Sequence, residues 1–300
     1  MRVNTNIVPN ILADLQQSQA TLNTLLSELA SGKSVNVPSD NPTASAQMVQ
    51  NALETANVDR YTQNISSALS QVQTAGSVLS SVVTSLTQAV SLGTEGANGT
   101  NNSTSLAALA QQVQTILSTV VSQANTTVGG VYLFGGTASG AVPYSADSSS
   151  PAGYVYNGNN DANSVAVGDN MNVPINLPGS QVFSDSGNNV IGALNSLVSA
   201  LKSGNTAQIS SATTAVNSSI SIVSQAQGFY GNAAGQLNAQ ETFLQQDTVT
   251  LATQQNDLVG ANMAQVATEL SQAETDNSAA MAAAARILPN SLLNYLPPPA

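Results

Sequence analysis

The two ends of this chain carry apolar residues at matching helical spacing. Near the N-terminus a four-three rhythm, interrupted only by Gln19, passes through Val8, Leu12, Leu15, Leu22, Leu26 and Leu29. Near the C-terminus the same rhythm passes through Met263, Val266, Leu270, Ala273, Asn277, Ala280, Ala284 and Ile287. Both patterns are heptad seams, which are buried only against a partner helix. The sequence therefore predicts that the two terminal helices pack together.

Heptad spacing identifies a helix but not the helix that it pairs with. The two seams can form the core of an ordinary intramolecular bundle. They can equally form the contact through which copies of the chain assemble. The spacing alone leaves both interpretations open.

The composition excludes several kinds of chemistry. The 300 residues include five Lys plus Arg, 16 Asp plus Glu and no Cys or His, so the net charge is −11. Without Cys or His the chain cannot build a zinc finger, a thiol nucleophile or a Ser-His-Asp triad. Five scattered cations are also too few to neutralise a nucleic-acid backbone. We therefore expect no catalytic residue, no cofactor, no metal site and no nucleic-acid partner.

The sequence shows no signal peptide and no membrane-spanning run. Residues 1–6 contain no continuous apolar core, and no run approaches the roughly 18 apolar residues that a membrane span needs. We therefore expect no membrane partner. If the protein works outside the cell, it must leave by a route that uses no cleaved signal.

The middle of the chain divides into helix, β structure and helix again. Asn41 is placed to cap a long helix that begins at Pro42, where the missing proline N–H costs nothing. Heptad stripes continue to about residue 120 and resume over residues 191–258, where leucines recur at Leu237, Leu244, Leu251 and Leu258. The fold class predicted is mainly α, a long antiparallel helical bundle or coiled coil built from both chain ends, with a small inserted β domain.

The inserted segment, residues 140–189, loses the helical rhythm. Short β-prone pieces occur at 154–156, 164–167, 173–175 and 181–183. The dipeptide Asn157-Gly158 predicts a hairpin between the first two pieces. Because the flanking helices carry apolar stripes of their own, we expect this segment to be separable from the helical core.

Three domains follow from these boundaries. Residues 1–40 and 259–300 form a terminal coiled-coil assembly domain, residues 41–139 and 190–258 form a helical bundle, and residues 140–189 form a small outer β domain. The pair Gly129-Gly130 is interpreted as a chain-reversing turn, since no Gly-Lys-Ser/Thr of a phosphate loop follows it. The asparagines and aspartates over 159–170 fit no calcium loop and are interpreted as solvated turns.

Several short motifs carry a family resemblance. Residues 29–33 (Leu-Ala-Ser-Gly-Lys) with 38–42 (Pro-Ser-Asp-Asn-Pro) resemble the N-terminal signature of the bacterial flagellin superfamily. Residues 132–136 (Tyr-Leu-Phe-Gly-Gly) are similar to the segment where that family leaves its helical domain. Residues 1–6 and the ending 291–296 (Ser-Leu-Leu-Asn-Tyr-Leu) resemble the branch that forms the hook-filament junction more than the filament flagellins.

The resemblance implies a structural component of the bacterial flagellum that polymerises through its terminal helices and joins hook to filament. It extends the assembly seam to Leu292, Leu293 and Leu296. The implied partners are further copies of the chain in a ring or helical assembly, an adjacent hook-associated protein and flagellin, with an export chaperone as a further candidate. The implied location is extracellular, after flagellar type III export without a cleaved signal peptide.

Two alternatives remain at this point. The nearer alternative is a filament flagellin, major or minor. The remote alternative is a secreted surface protein or an enzyme with a carboxylate site in the β insert, although no acidic pair has spacing that supports catalysis. Glu269 and Glu274, for example, fall on different faces of one helix.

Overall fold

The structure is a computed structural model that describes residues 7–184 and 189–293, with side chains described for residues 9–184 and 189–285. The helices in this part of the chain are α1 (Ile7–Ser31), α2 (Pro42–Gly96), α3 (Ser103–Ala124), α4 (Gly179–Phe183), α5 (Val190–Ser203), α6 (Thr206–Val259) and α7 (Met263–Leu293). The strands are β1 (Thr127–Val128), β2 (Val131–Tyr132), β3 (Tyr144–Ala146), β4 (Tyr154–Tyr156), β5 (Ser164–Gly168) and β6 (Met171–Pro174). The mainly helical fold class with a small β part is confirmed.

Contacts within the chain define two compact units. The terminal unit comprises Met1–Ala56 and Asp247–Ala300, and the central unit comprises Asn57–Gln246. The central unit holds the inserted segment together with the helices that flank it. The division into three domains proposed from the sequence stays a prediction.

Helix α2 starts where the capping pattern of the sequence predicts. The helix begins at Pro42, and the side-chain oxygen of Asn41 accepts a 3.0 Å hydrogen bond from the backbone N–H of Ala44. In the turn before it, Asp40 Oδ2 accepts hydrogen bonds from the backbone N–H groups of Asn36 and Val37. The predicted N-cap at Asn41 is therefore confirmed.

The core of the central unit is built from stripes on α2, α3, α5 and α6. Helices α3 and α5 contact each other, and Gly96 of α2 lies against Leu201 and Ile209. Fully buried members include Ile65, Leu79, Leu86, Val113, Leu117, Leu194, Leu197, Leu201, Ile209, Val216 and Val223. With the buried alanines and valines between them, the buried residues recur at three- and four-residue intervals, on α2 from Ile65 through Ala68, Val72, Ala75, Leu79 and Val82 to Leu86, as a helix with one buried face requires.

One helix in the described part, α2, is long and apolar enough over part of its length to span a membrane by length and composition alone. Its buried stripe in the central unit includes Ile65, Leu79 and Leu86. Threonine side chains on its other faces, such as Thr74, Thr84 and Thr87, bond to carbonyls one turn earlier. Packing within the central unit accounts for the buried apolar residues of this helix.

The small strands pair in three antiparallel hairpins, β1 with β2, β3 with β4 and β5 with β6. Gly129 and Gly130 form the first turn with φ of 61° and 82°. Only glycine adopts two successive positive φ values readily, and this is the combination that a tight hairpin turn uses. The predicted chain-reversing turn is confirmed.

The prediction that Asn157-Gly158 joins the pieces at 154–156 and 164–167 in a hairpin is wrong. Strand β4 pairs with β3, with Tyr144 opposite Tyr156, and β5 pairs with β6. The backbone N–H of Asn157 donates to Pro143 O at 2.8 Å, so the ladder with the preceding segment continues to the dipeptide. Asn157-Gly158 therefore ends a strand instead of turning the chain back.

The β-prone piece at 181–183 forms the short helix α4. Val182 and Phe183 are adjacent and both fully buried. A strand points neighbouring side chains to opposite faces, whereas one turn of helix can direct both into the same core. Burial of two consecutive residues therefore overrides the local β propensity.

Aromatic packing joins the inserted segment to the helical core. Phe134 lies edge-on to Phe183 and to Tyr230 of α6, with ring centroids 5.2 Å and 6.4 Å away. Tyr144 completes the group, 5.9 Å from Phe183. Because Tyr144 and Phe183 cover Phe134 and Tyr230, the segment is part of the core of the central unit. This is contrary to the expectation that it is separable.

Candidate assembly surface

Helices α1 and α7 form an antiparallel pair in the terminal unit. They contact each other, and the end of α1 lies beside the start of α7. The backbone N–H of Ala261 donates to Gly32 O at 2.9 Å, and Lys33 forms an antiparallel bridge with Gly260. Gly32 has a φ of 70°, which closes the end of α1 in the left-handed region. The predicted pairing of the two terminal helices is confirmed.

A small apolar cluster fixes the base of this pair. Val35, Ala44 and Val259 are buried together, with Met48 and Leu258 packed against them. The backbone N–H of Ser34 also donates to Val259 O at 2.7 Å. The segment between α1 and α2 is therefore anchored to the end of α6.

Helix α1 carries two adjacent apolar stripes. Of the predicted seam, Leu15, Leu22 and Leu29 are half-buried, while Leu12 is 57% exposed and Leu26 is 49% exposed. Among the described side chains of this helix the most buried is Leu25, which the heptad prediction omitted. Residues 11, 15, 18, 22, 25 and 29 form the buried stripe, which also alternates in fours and threes. The sequence contains this spacing too, but the polar residue Ser18 interrupts its apolar pattern.

On α7 more of the predicted seam residues are buried or half-buried than on α1. Val266 and Ala284 are buried, and Leu270, Ala273, Asn277 and Ala280 are half-buried, whereas Met263 is 43% exposed. The side-chain oxygen of Asn277 is buried and has no hydrogen-bond partner among the described residues. Five predicted seam residues lie outside the described side chains, namely Val8, Ile287, Leu292, Leu293 and Leu296. The assignment of the whole set to an assembly seam stays a prediction.

Exposed apolar residues are concentrated in the terminal unit. Of the 13 large hydrophobic residues that are exposed in the described part of the chain, eight belong to this smaller unit: Leu12, Leu26, Val37, Val49, Leu53, Val249, Met263 and Met281. Scattered exposed hydrophobic residues are normal, but such a concentration is typical of interaction surfaces. These eight residues, here called the terminal apolar set, are the candidate assembly surface.

The same unit also contains a polar groove of about 390 Å³. It is lined mainly by amides and two carboxylates, from Gln47, Gln50, Asn51, Glu54, Gln254, Asp257 and Leu258. The Asn51 side-chain amide has a structural role, because its nitrogen donates a 3.0 Å hydrogen bond to Leu251 O. Within the described residues no three His, Cys, Asp or Glu side chains come close enough to hold a metal ion. The groove therefore offers polar groups that can contact a partner.

The clearest pKa shifts in the described residues belong to buried tyrosines of the central unit. Burial raises the pKa of Tyr230 to about 12 and raises that of Tyr144 further. The Tyr144 hydroxyl donates to Gly179 O at 2.8 Å, and its oxygen can accept from the Ser184 hydroxyl, whose Oγ lies 2.7 Å away. Both phenols stay protonated at neutral pH and serve as hydrogen-bonding groups of the core.

Comparison with known proteins gives matches over much of the chain. Residues 3–139 match the family described as bacterial flagellin N-terminal helical region. Flagellar hook-associated protein 3 of Salmonella typhimurium is 28% identical over 193 residues, which are 64% of this chain and 59% of that protein. Its counterpart from Escherichia coli is 34% identical over 119 residues, 39% of this chain and 38% of that protein. The matches thus span less than two thirds of either relative's length.

Solved structures share the fold. A putative flagellar hook-associated protein from Vibrio parahaemolyticus has a TM-score of 0.67 at 20% identity, covering 74% of this chain and 100% of that one. FlgL of Bacillus cereus has a TM-score of 0.60 at 20% identity, covering 69% and 99%. The predicted resemblance of this chain to the bacterial flagellin superfamily is confirmed, and within that superfamily the likeness is to hook-associated protein 3.

Proposed function

We propose that this chain is a structural subunit of the bacterial flagellum that polymerises through its terminal helices and forms the junction between hook and filament. The observation that carries the proposal is the terminal apolar set, which is exposed on the unit built from both chain ends. The matches to hook-associated protein 3 support the same role. A chain without His or Cys, and with amide-lined grooves, fits a structural part and not an enzyme.

The assembly mechanism follows from the two stripes of α1. The stripe through Leu25 is used within the molecule, against α7. The stripe through Leu12 and Leu26 is left for a neighbouring copy. Burying a leucine side chain stabilises a contact by about 1.5–3 kcal/mol, so a few such residues per copy support a ring or helical assembly in which each subunit has several neighbours.

The proposed partners are other copies of this chain, an adjacent hook-associated protein on one side and flagellin on the other. An export chaperone that covers the terminal apolar set before assembly is a further proposed partner. The proposed location is outside the cell, on the flagellum, after export without a cleaved signal. In the assembled state residues 1–40 and 259–300 would form the assembly domain, and residues 140–189 would face outward.

Filament flagellin is the second candidate, since the family match at residues 3–139 is to the flagellin N-terminal region. Electron microscopy of a strain lacking this gene separates the two. A junction protein predicts hooks without filaments and flagellin released into the medium. Hooks that keep their filaments would contradict the junction role, and hooks without filaments and without released flagellin would favour a flagellin.

A further inference from the structure

The chain contains two Asn-Gly dipeptides, Asn98-Gly99 and Asn157-Gly158. Their hydrogen bonds and surroundings differ in the structure. Asn-Gly is the dipeptide in which the asparagine amide is most easily lost, because glycine does not hinder attack by its own backbone nitrogen. We propose that Asn98 is a site of spontaneous deamidation in the folded protein, whereas Asn157 is protected. The inference concerns the chain itself and does not depend on the proposed function.

Asn98 and Gly99 are free to reach the reactive geometry. Both are exposed, in the turn between α2 and α3. The Asn98 side chain makes no hydrogen bond to any described residue, and the surroundings of Gly99 are open, with no atom within 4 Å of the place where a β-carbon would lie. Only the Asn98 backbone is held: its N–H donates to Glu95 O at 3.1 Å, and its carbonyl accepts from the backbone N–H and the side-chain amide of Asn101 at 3.2 Å and 3.3 Å.

Hydrogen bonds hold Asn157, and a close neighbour confines Gly158. The Asn157 amide nitrogen donates to Ser145 Oγ at 2.9 Å, and its backbone N–H donates to Pro143 O at 2.8 Å. A β-carbon at Gly158 would collide with the Tyr156 hydroxyl. Asn157 itself is exposed and Gly158 is half-buried. The hydrogen bonds of Asn157 must therefore break before the glycine nitrogen can approach the asparagine amide carbon, which requires local opening of the chain.

The reaction needs only water. The Gly99 backbone nitrogen attacks Cγ of Asn98, a Cγ–N bond forms, the Cγ–Nδ2 bond breaks, and ammonia leaves with the proton lost from the Gly99 nitrogen. Water then adds to one of the two carbonyl carbons of the cyclic imide and opens it. The product is an aspartate or an isoaspartate at position 98, with no change in oxidation state.

The product adds a negative charge close to Glu95, which lies in the last turn of α2. An isoaspartate also inserts a methylene into the backbone whose carbonyl accepts from Asn101. The modification therefore alters the connection between α2 and α3 without touching the buried stripe of either helix.

Peptide mapping by mass spectrometry, with fragmentation that separates aspartate from isoaspartate, tests the proposal. The full chain is incubated at mildly alkaline pH in folded form and in concentrated urea. In the folded protein we expect Asn98 to react at least about tenfold faster than Asn157, while in urea the two rates converge because local protection is gone. The Gly99→Ala variant, for which the structure leaves room, should slow the reaction at Asn98 in both conditions.

Three results would overturn the proposal. Equal rates at Asn98 and Asn157 in the folded protein would show that the two environments do not differ. A folded-state rate at Asn98 far below its rate in urea would show that the turn is protected. Unchanged modification in Gly99→Ala would show that the mass shift arises by another route.

Discussion

The backbone N–H of Leu177 donates a 3.0 Å hydrogen bond to the phenol oxygen of Tyr230. Leu177 belongs to the inserted segment and Tyr230 to α6. This bond therefore connects the inserted segment to the longest helix in the second half of the chain. Tyr230 is 2% exposed, and water therefore cannot replace its hydroxyl as the acceptor. The relationship explains why the insert and the helices behave as one unit.

Tyr230→Phe removes the acceptor and leaves the Leu177 N–H buried without a partner. We expect a loss of about 1–3 kcal/mol in the free energy of unfolding, measured by urea denaturation. Tyr154→Phe is the matched control, since the Tyr154 hydroxyl has no hydrogen-bond partner in the described structure. An equal effect of the two substitutions would contradict the assigned role of Tyr230.

The same phenol predicts an alkaline loss of stability. Burial raises the pKa of Tyr230 from 10.0 to about 12, so above pH 10 the unfolded chain releases a proton that the folded chain keeps. The contribution is fully present below pH 10 and is lost as the pH rises through about 12. Urea denaturation across this range should show the decline in the parent protein and a smaller decline in Tyr230→Phe.

Phe183→Ala tests whether the insert belongs to the core. Phe183 is fully buried against Phe134 and Tyr144. Its truncation should lower the free energy of unfolding by about 3–5 kcal/mol and shift the helical melting transition followed by circular dichroism. Val155→Ala, on the exposed side of the same segment, should change little. Unchanged helical melting in Phe183→Ala would restore the view that the insert is separable.

Asn125 joins the end of α3 to β3 through two hydrogen bonds to the backbone of Tyr144, both 2.8 Å long. Asn125→Asp replaces the amide donor by a carboxylate that faces the Tyr144 carbonyl. We expect a loss of about 1–3 kcal/mol at neutral pH. Because a protonated carboxyl can donate again, the loss should shrink as the pH falls through the carboxyl pKa. A pH-independent loss would point to a steric cause.

Much of the helical architecture was predictable because it rests on local rules. Asn41 and Pro42 mark the start of α2, and Gly129-Gly130 marks a turn, through short-range backbone preferences. The paired terminal helices follow from two seams that cannot bury themselves. Each of these signals lies within a few turns of one helix or within one hairpin.

The errors arose where tertiary contacts decide between similar local choices. On α1 two apolar stripes lie side by side, and only contact with α7 selects Leu25 over Leu26. On α2 the heptad spacing in the sequence fits Leu69, Gly76 and Val83, whereas the buried stripe runs one position earlier, through Ala68, Ala75 and Val82. The helical state of Phe183 likewise depends on an aromatic cluster whose members are distant in sequence.

The neighbouring leucines Leu25 and Leu26 give the most direct test of assembly through the terminal helices. In a strain lacking this gene, plasmid-borne variants are scored by electron microscopy for filaments on hooks, and the purified monomers are melted in parallel. Leu25→Asp buries a charge and should lower the melting temperature of the monomer. Leu26→Asp should leave that temperature unchanged and yet fail to restore filaments, with the exposed Ser27→Asp as the tolerated control. Normal filaments with Leu26→Asp, at normal monomer stability, would contradict assembly through this surface.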